Sequence, residues 1–104
     1  MLRIQRIDGK NKEAVLLLQG WIVEEWSDLL ARECRQMRES GLEVVLDLSG
    51  VVFLGRSGLD ALRRISEDGV RITECPPLIA EMIEQEGIAV DRTTGSTAPQ
   101  EDER

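Results

Sequence analysis

The stretch VVLDLSGVVFLGRSGLDALRRI, residues 44–65, decides the fold of this chain. Four of its first five residues are apolar, a run too short for a helix and rich in β-branched side chains: Val44, Val45, Leu46 and Leu48. Such a run is typical of a strand in the interior of a sheet. We therefore predict a central strand here, covered on both faces.

A helix is predicted after this strand and a short apolar turn. Ser57 precedes apolar residues at helical spacing, namely Leu59, Leu62 and Ile65. Asp60 follows Ser57 by three positions, and a serine with an acidic residue at that interval is a helix-start signature. The pattern predicts that Ser57 is the N-cap and that Asp60 places favourable charge in the first turn.

The turn between strand and helix is where a function can be predicted. In open α/β sheets, sites tend to lie at the carboxyl ends of the parallel strands. A helix N-terminus also carries unpaired N–H groups and positive partial charge, so it attracts an anion. The candidate site residues are therefore Gly55, Arg56, Ser57 and Gly58.

Strands and helices alternate on both sides of this centre. Further strands are predicted over residues 2–7, 14–18 and 70–73, and further helices over 22–37 and from Pro76-Pro77 to Gly87. Gly20 is expected to end the second strand, and Gly41 to stop the first helix. The order β-β-α-β-α-β-α predicts an α/β fold with a mixed, mostly parallel four-stranded sheet and three helices. The first strand is expected to run antiparallel to the rest.

Length and composition limit the classes of protein. A chain of 104 residues with 41% apolar residues is expected to form one globular domain. Its formal charge of −7, from 13 basic and 20 acidic residues, argues against binding to nucleic acid or to an anionic membrane surface. The apolar runs are far shorter than the ~20 residues of a membrane span, and the N-terminus has no signal-peptide core. We therefore expect a cytoplasmic protein.

The chemistry-bearing residues favour a protein that is not an enzyme. The chain has no histidine to serve as a base for Ser57, no P-loop, no GxGxxG and no metal-ligand cluster, so neither a cofactor nor a metal is predicted. Cys34 and Cys75 are far apart in sequence and lack CxxC spacing. Two reduced thiols are the favoured interpretation of these cysteines, with a redox pair as the alternative.

The order of elements and the strand–Ser-Gly-Leu–helix centre resemble the STAS domain, the fold of bacterial anti-sigma-factor antagonists and of the cytoplasmic ends of sulfate transporters. The resemblance covers about residues 2–90 and rests on short motifs in a fixed order: Leu18-Gln19-Gly20, Val45-Leu46-Asp47-Leu48-Ser49, Val52-Phe53-Leu54, Ser57-Gly58-Leu59 and Gly87-Ile88. It implies a regulatory protein-interaction module that acts by partner switching with a kinase or an anti-sigma factor.

The resemblance also implies a role for Ser57. In the antagonists, the serine directly before Gly-Leu is phosphorylated by the partner kinase, and Ser57 holds that position. The family usually has an acidic residue two positions earlier and often a serine one position earlier, where this chain has Gly55 and Arg56. The guanidinium of Arg56 would shield a phosphate on Ser57.

Two hypotheses of function remain open at this point. The first is the anti-sigma-factor-antagonist type of module, which binds a protein partner through the Ser57 helix. The second is a sensor of a small ligand or anion, or an accessory subunit of a transport complex. For Ser57 itself, a helix cap, a phosphorylation site and an anion contact are the alternatives.

The apolar pattern stops near residue 90, which predicts a domain over residues 1–90 and a disordered polar tail over residues 91–104. Limited proteolysis should remove residues after about Asp91 and leave a stable core. A truncation at Arg92 should therefore leave the melting temperature unchanged. If that truncation lowered the melting temperature by several degrees, the tail would be packed on the domain.

Overall fold

A computed structural model describes residues 1–91 as one four-stranded sheet with three helices. The elements are β1 (Leu2–Asp8), β2 (Glu13–Ile22), α1 (Glu24–Glu39), β3 (Glu43–Leu54), α2 (Arg56–Glu67), β4 (Arg71–Thr73) and α3 (Pro77–Gln85). The strands lie in the order β1-β2-β3-β4, with β1 antiparallel to β2 and the remaining pairs parallel. The predicted fold class and the antiparallel first strand are confirmed. Of the predicted tail, residues 92–104 lie outside the described residues.

The helices cover one face of the sheet. Strand residues on this face share a core with residues of all three helices, and on β3 these are Val44, Leu46, Leu48, Val51 and Leu54. On the opposite face of β3, Val45 is buried, whereas Asp47 is half-buried and Ser49 is exposed. The prediction that β3 is covered on both faces is therefore wrong.

The burial of Val45 has a separate cause. Arg71 lies beside Val45 in the β3–β4 register, and its guanidinium reaches Glu13 of β2 at 3.1 Å. Because β3 lies between β2 and β4, the Arg71 side chain has to cross β3 to make this contact. This path takes the aliphatic part of Arg71 past Val45, which lies outside the core that the sheet shares with the helices, and explains the burial of Val45.

The segment after α3 returns to the sheet beside β4. Asp91 forms a parallel β-bridge with Thr73, and its backbone N–H donates to the Ile72 carbonyl at 2.7 Å. The Thr73 hydroxyl donates to the Asp91 carbonyl at 3.1 Å. The chain is thus attached to the β4 edge at the last residue that the structure describes.

Strand β2 runs further than the sequence predicted. It continues through Gly20, where φ is 104°, to Ile22, and the pairing with β3 is irregular at this point. Glycine adopts a positive φ at little cost, so here it permits a register shift and does not end the strand. Helix α1 consequently begins at Glu24 and not at the predicted residue 22. Ile22 is fully buried as the last strand residue.

The two cysteines differ in exposure. Cys34 on α1 is buried and Cys75 is half-buried, and no disulfide joins them within residues 1–91. Burial, with a smaller effect of the Glu33 carboxylate, raises the pKa of the Cys34 thiol to about 12. Because the thiolate is the reactive form, Cys34 is expected to be inert in the folded protein.

Alkylation with iodoacetamide at about pH 8 should modify Cys75 well before Cys34 in the native protein, and both cysteines at similar rates in urea. Peptide mapping after timed quenching measures the two rates. Equal native rates would show that α1 opens readily around Cys34. A native mass lower by two hydrogens would reveal a disulfide and contradict the structure.

Candidate functional site

The candidate site lies where β3 passes into α2, and the N-cap of that helix is Gly55. Gly55 is extended, its N–H donates to the Ile22 carbonyl at 3.1 Å, and its own carbonyl accepts from the Leu59 N–H at 2.9 Å. Ser57 is the second residue of the helix, and no side chain caps α2. The prediction that Ser57 is the N-cap of its own helix is therefore wrong.

Ser57 instead caps the neighbouring helix. The backbone N–H of Glu24, the first residue of α1, donates to Ser57 Oγ at 2.6 Å. The N-cap of α1 is Val23, whose side chain has no acceptor for this purpose. The hydroxyl that satisfies the start of α1 thus comes from a residue 33 positions later in the chain.

Ser27 completes this contact between the two helices. Its Oγ lies 3.3 Å from Ser57 Oγ, within hydrogen-bond distance, and its side chain is almost fully buried. A buried hydroxyl without a partner is costly, so Ser57 also satisfies Ser27. The two serines and the Glu24 amide form one small polar group between α1 and α2.

Gly58 permits the close approach of α2 to the end of β2. A Cβ atom at this position would overlap the Ile22 carbonyl oxygen and would lie 2.8 Å from Leu54 Cδ1. The absence of a side chain therefore allows the first turn of α2 to rest on the β2 backbone. This contact brings Ser57 within reach of Glu24, so the Ser-Gly pair acts as a unit.

Arg56 belongs to a charge network between α2 and α3. Its guanidinium contacts Asp60 at 3.0 Å and Glu86 at 2.9 Å, and Arg63 contacts the same two carboxylates. The hydrogen bond from Arg56 holds the pKa of Glu86 below its ordinary value. The prediction that Asp60 lies in the first helical turn is wrong, since that turn contains no acidic residue.

An exposed aromatic pair lies beside Ser57. Trp21 and Phe53 are in register on β2 and β3, with ring centroids 5.6 Å apart and ring planes at 52°. About half of each side chain is exposed (53% and 50%). A cavity of about 630 Å³ adjoins them, lined by Trp21, Val23, Glu24, Phe53, Gly55, Arg56, Ser57 and Asp60. We call the surface formed by Trp21, Phe53 and the cavity beside them the aromatic patch.

A second, more polar cavity also reaches Ser57. It has a volume of about 340 Å³ and is lined by Asp28, Ser57, Asp60, Arg63 and Arg64. Ser57 thus lies between an apolar surface and a charged one. Its side chain is half-buried.

The structure brings all four predicted site residues together in one turn, but several neighbours were missed. Trp21, Phe53, Ser27 and Glu24 were not predicted as part of the site. For the two aromatic residues a signal existed, since both stand at the carboxyl ends of adjacent parallel strands. Within residues 1–91, no group of three acidic, cysteine or histidine side chains is placed to hold a metal ion. No helix in this part of the chain has the length and apolar character to cross a membrane.

Comparison with known proteins gives a likeness of fold. No protein-family model matches the chain, and no curated protein matches it. The anti-sigma factor antagonist SpoIIAA in its unphosphorylated form superposes with a TM-score of 0.68 at 11% identity, over 83% of this chain and 82% of that one. An anti-sigma factor antagonist from Mycobacterium paratuberculosis superposes with a TM-score of 0.70 at 20% identity, over 96% of this chain and 87% of that one. The predicted resemblance to the STAS fold is confirmed.

Substitutions at the two glycines of the site test the close approach of α2 to β2. Gly58→Ala should destabilise the protein by about 1–3 kcal/mol, because the new methyl group meets backbone and an apolar side chain. Gly55→Ala is the comparison variant: its Cβ would approach only the Val23 side chain closely, with Cγ1 at 3.1 Å, so it should cost less than Gly58→Ala, about 0.5–1 kcal/mol, mainly because alanine is a poorer N-cap than glycine. Urea unfolding measures both. A Gly58→Ala variant as stable as wild type would show that the approach is loose, particularly since alanine is the better helix former.

Proposed function

We propose that this chain is a cytoplasmic, non-enzymatic regulatory module of the STAS type that binds a protein partner through the aromatic patch and the start of α2. The expected partner is an anti-sigma factor or a serine kinase, in the manner of an anti-sigma-factor antagonist. The observation that carries the proposal is the position of a neutral serine hydroxyl at the rim of an exposed aromatic surface.

The aromatic patch has the composition of a protein-binding surface. Tryptophan and phenylalanine are enriched at the cores of interfaces, and tryptophan in particular among residues whose truncation weakens binding most. Trp21 and Phe53 form a contiguous pair on adjacent strands, and because an aromatic side chain has few rotatable bonds, little side-chain entropy is lost when a partner covers them. Exposure of such a pair in an otherwise aliphatic protein is best explained by docking.

Control by phosphorylation is the second part of the proposal. In such a step, Ser57 Oγ attacks the γ-phosphorus of a nucleoside triphosphate bound to the kinase, a base of the kinase takes the hydroxyl proton, and the nucleoside diphosphate leaves. The product carries about −1.5 to −2 charge. The two cavities at Ser57 are lined by side chains of both signs, so the added charge would make a balanced surrounding net negative: Glu24, Asp28 and Asp60, with Arg56, Arg63 and Arg64.

A partner that buries the neutral hydroxyl would therefore bind the modified protein poorly. Burying an unpaired charge costs much more than burying a hydroxyl that already has partners. Arg56 is not expected to cancel the effect, because Asp60 and Glu86 already engage its guanidinium. The same pairing weighs against a small anion held by Arg56, since two carboxylates already engage that guanidinium.

The test compares partner binding of variants that differ in charge at Ser57. Affinity capture from the native host identifies the partner by mass spectrometry, and titration with the purified partner then gives dissociation constants. Ser57→Asp should weaken binding by at least tenfold, about 1.4 kcal/mol, and Ser57→Ala should weaken it clearly less, because the alanine variant adds no charge. Trp21→Ala should weaken binding by a similar factor or more.

Ser66 supplies the matched control on the same helix. Its hydroxyl donates to the Arg63 carbonyl at 2.9 Å, and it lies outside both cavities that contain Ser57. Ser66→Ala and Ser66→Asp should both bind as wild type does. If Ser57→Asp bound as tightly as wild type, Ser57 would not belong to the interface. If Trp21→Ala also had no effect, the aromatic patch would not be the docking surface.

A further inference from the structure

We infer that the Ser57 hydroxyl positions the β2–α1 junction and thereby shapes one wall of the aromatic patch. Phosphorylation of Ser57 would then change the shape of the aromatic patch as well as its charge. This inference deepens the proposed function and depends on it for its biological meaning. The coupling itself is a property of the isolated chain and is tested without any partner.

The junction is held in an uncommon backbone conformation. Glu24 has φ of 46°, in the left-handed region that residues with a side chain seldom adopt. Such conformations persist only where surrounding contacts impose them. The Glu24 N–H donates to Ser57 Oγ at 2.6 Å, and the Trp26 N–H donates to the Val23 carbonyl at 3.0 Å. The first of these contacts reaches the junction from another element.

Ser57 is itself fixed by the helix that it caps. Ser27, one turn into α1, lies with its Oγ 3.3 Å from Ser57 Oγ and is 1% exposed. Gly58 packs against the Ile22 carbonyl and thereby fixes the backbone next to Ser57. Because Ser27 and Gly58 both restrict Ser57, its hydroxyl can hold the Glu24 N–H in a fixed position.

A displacement of Glu24 would reach the aromatic patch directly. Val23 precedes Glu24, lines the same cavity as Trp21 and Phe53, and its Cγ1 lies next to Gly55. Trp21 is two residues further back, and its N–H is bound to the Met1 carbonyl at 2.8 Å. The segment between Trp21 and Glu24 is therefore short and attached at both ends, so it has little freedom to absorb a change at one of them.

Phosphorylation would alter the contact that holds this segment. Once Ser57 Oγ is bonded to phosphorus it carries no proton, so only Ser27 can donate in the contact between the two serines. As an ester oxygen, Oγ is also a poorer acceptor for the Glu24 N–H. The strong acceptors are then the outer phosphoryl oxygens, which lie farther from the Ser57 Cβ. The Glu24 amide has to shift to follow them or lose its partner.

The chain carries its own reporters at this position. It has two tryptophans, Trp21 at the end of β2 and Trp26 in the first turn of α1. Both flank the junction, so their indole N–H signals in a ¹H–¹⁵N spectrum report on it directly. The Glu24 amide reports on the hydrogen bond itself through its rate of hydrogen exchange.

The experiment uses the full chain, labelled with ¹⁵N, in five forms: wild type, Ser57→Ala, Ser57→Cys, Ser57→Thr and Ser66→Ala. Loss of the oxygen acceptor in the alanine and cysteine variants should speed Glu24 amide exchange by about tenfold or more and shift both indole signals. Exchange in the interior of α1, at Leu30 for example, should be unchanged. Ser57→Thr keeps the hydroxyl and should restore the wild-type exchange rate and indole signals. Ser66→Ala should match wild type in both measurements.

Unchanged Glu24 exchange in Ser57→Ala would overturn the inference, because the hydroxyl would then not hold the junction. Equal acceleration at Glu24 and Leu30 would overturn it too, since the effect would be a general loss of stability. Ser57→Cys preserves the size of the side chain and gives the answer if the alanine variant folds poorly. The proposed function fails on a different result, namely partner binding that is indifferent to Trp21→Ala.

Discussion

The contact between the Ile22 carbonyl and the first turn of α2 is the constraint on which the site depends. That carbonyl accepts the Gly55 N–H and leaves room for no side chain at Gly58. Because α2 is thereby brought against the end of β2, Ser57 comes within hydrogen-bond distance of Glu24. One backbone oxygen thus determines where α2 starts, which residue caps α1, and where the serine hydroxyl lies relative to Trp21 and Phe53.

The fold could be predicted from sequence because its main signals are local. Runs such as Val44–Leu48 and the helical spacing after Ser57 reflect burial on one side of a strand or helix, and burial is imposed by the core. The element ends were less accurate, because Gly20 marks a register shift where a strand end was expected. A positive φ such as the 104° of Gly20 is compatible with a strand end and with a register shift, and the sequence does not distinguish the two.

Only some of the residues of the candidate site could be predicted from the sequence. The serine, its glycines and Arg56 follow one another in the chain, so a motif identified them. Their partners do not: Glu24 lies 33 positions and Ser27 lies 30 positions from Ser57. Which helix a serine caps depends on how two helices pack, and no local pattern records this. The pairing of Arg56 with Glu86, also 30 positions away, was unpredictable for the same reason.

The edges of the sheet decide whether strands of different molecules can pair, which matters for a chain that exposes an aromatic patch. Unpaired strand edges are templates for intermolecular strand addition. Strand β4 has only three residues, and Asp91 is bridged to it at Thr73. Strand β1 is longer, but Arg6 shares the helix-side face of β1 with Leu2 and Ile4 and is paired with Asp8 at 2.8 Å. A charge on that face penalises a strand added from another molecule, so aggregation through the sheet is opposed independently of any partner that covers Trp21.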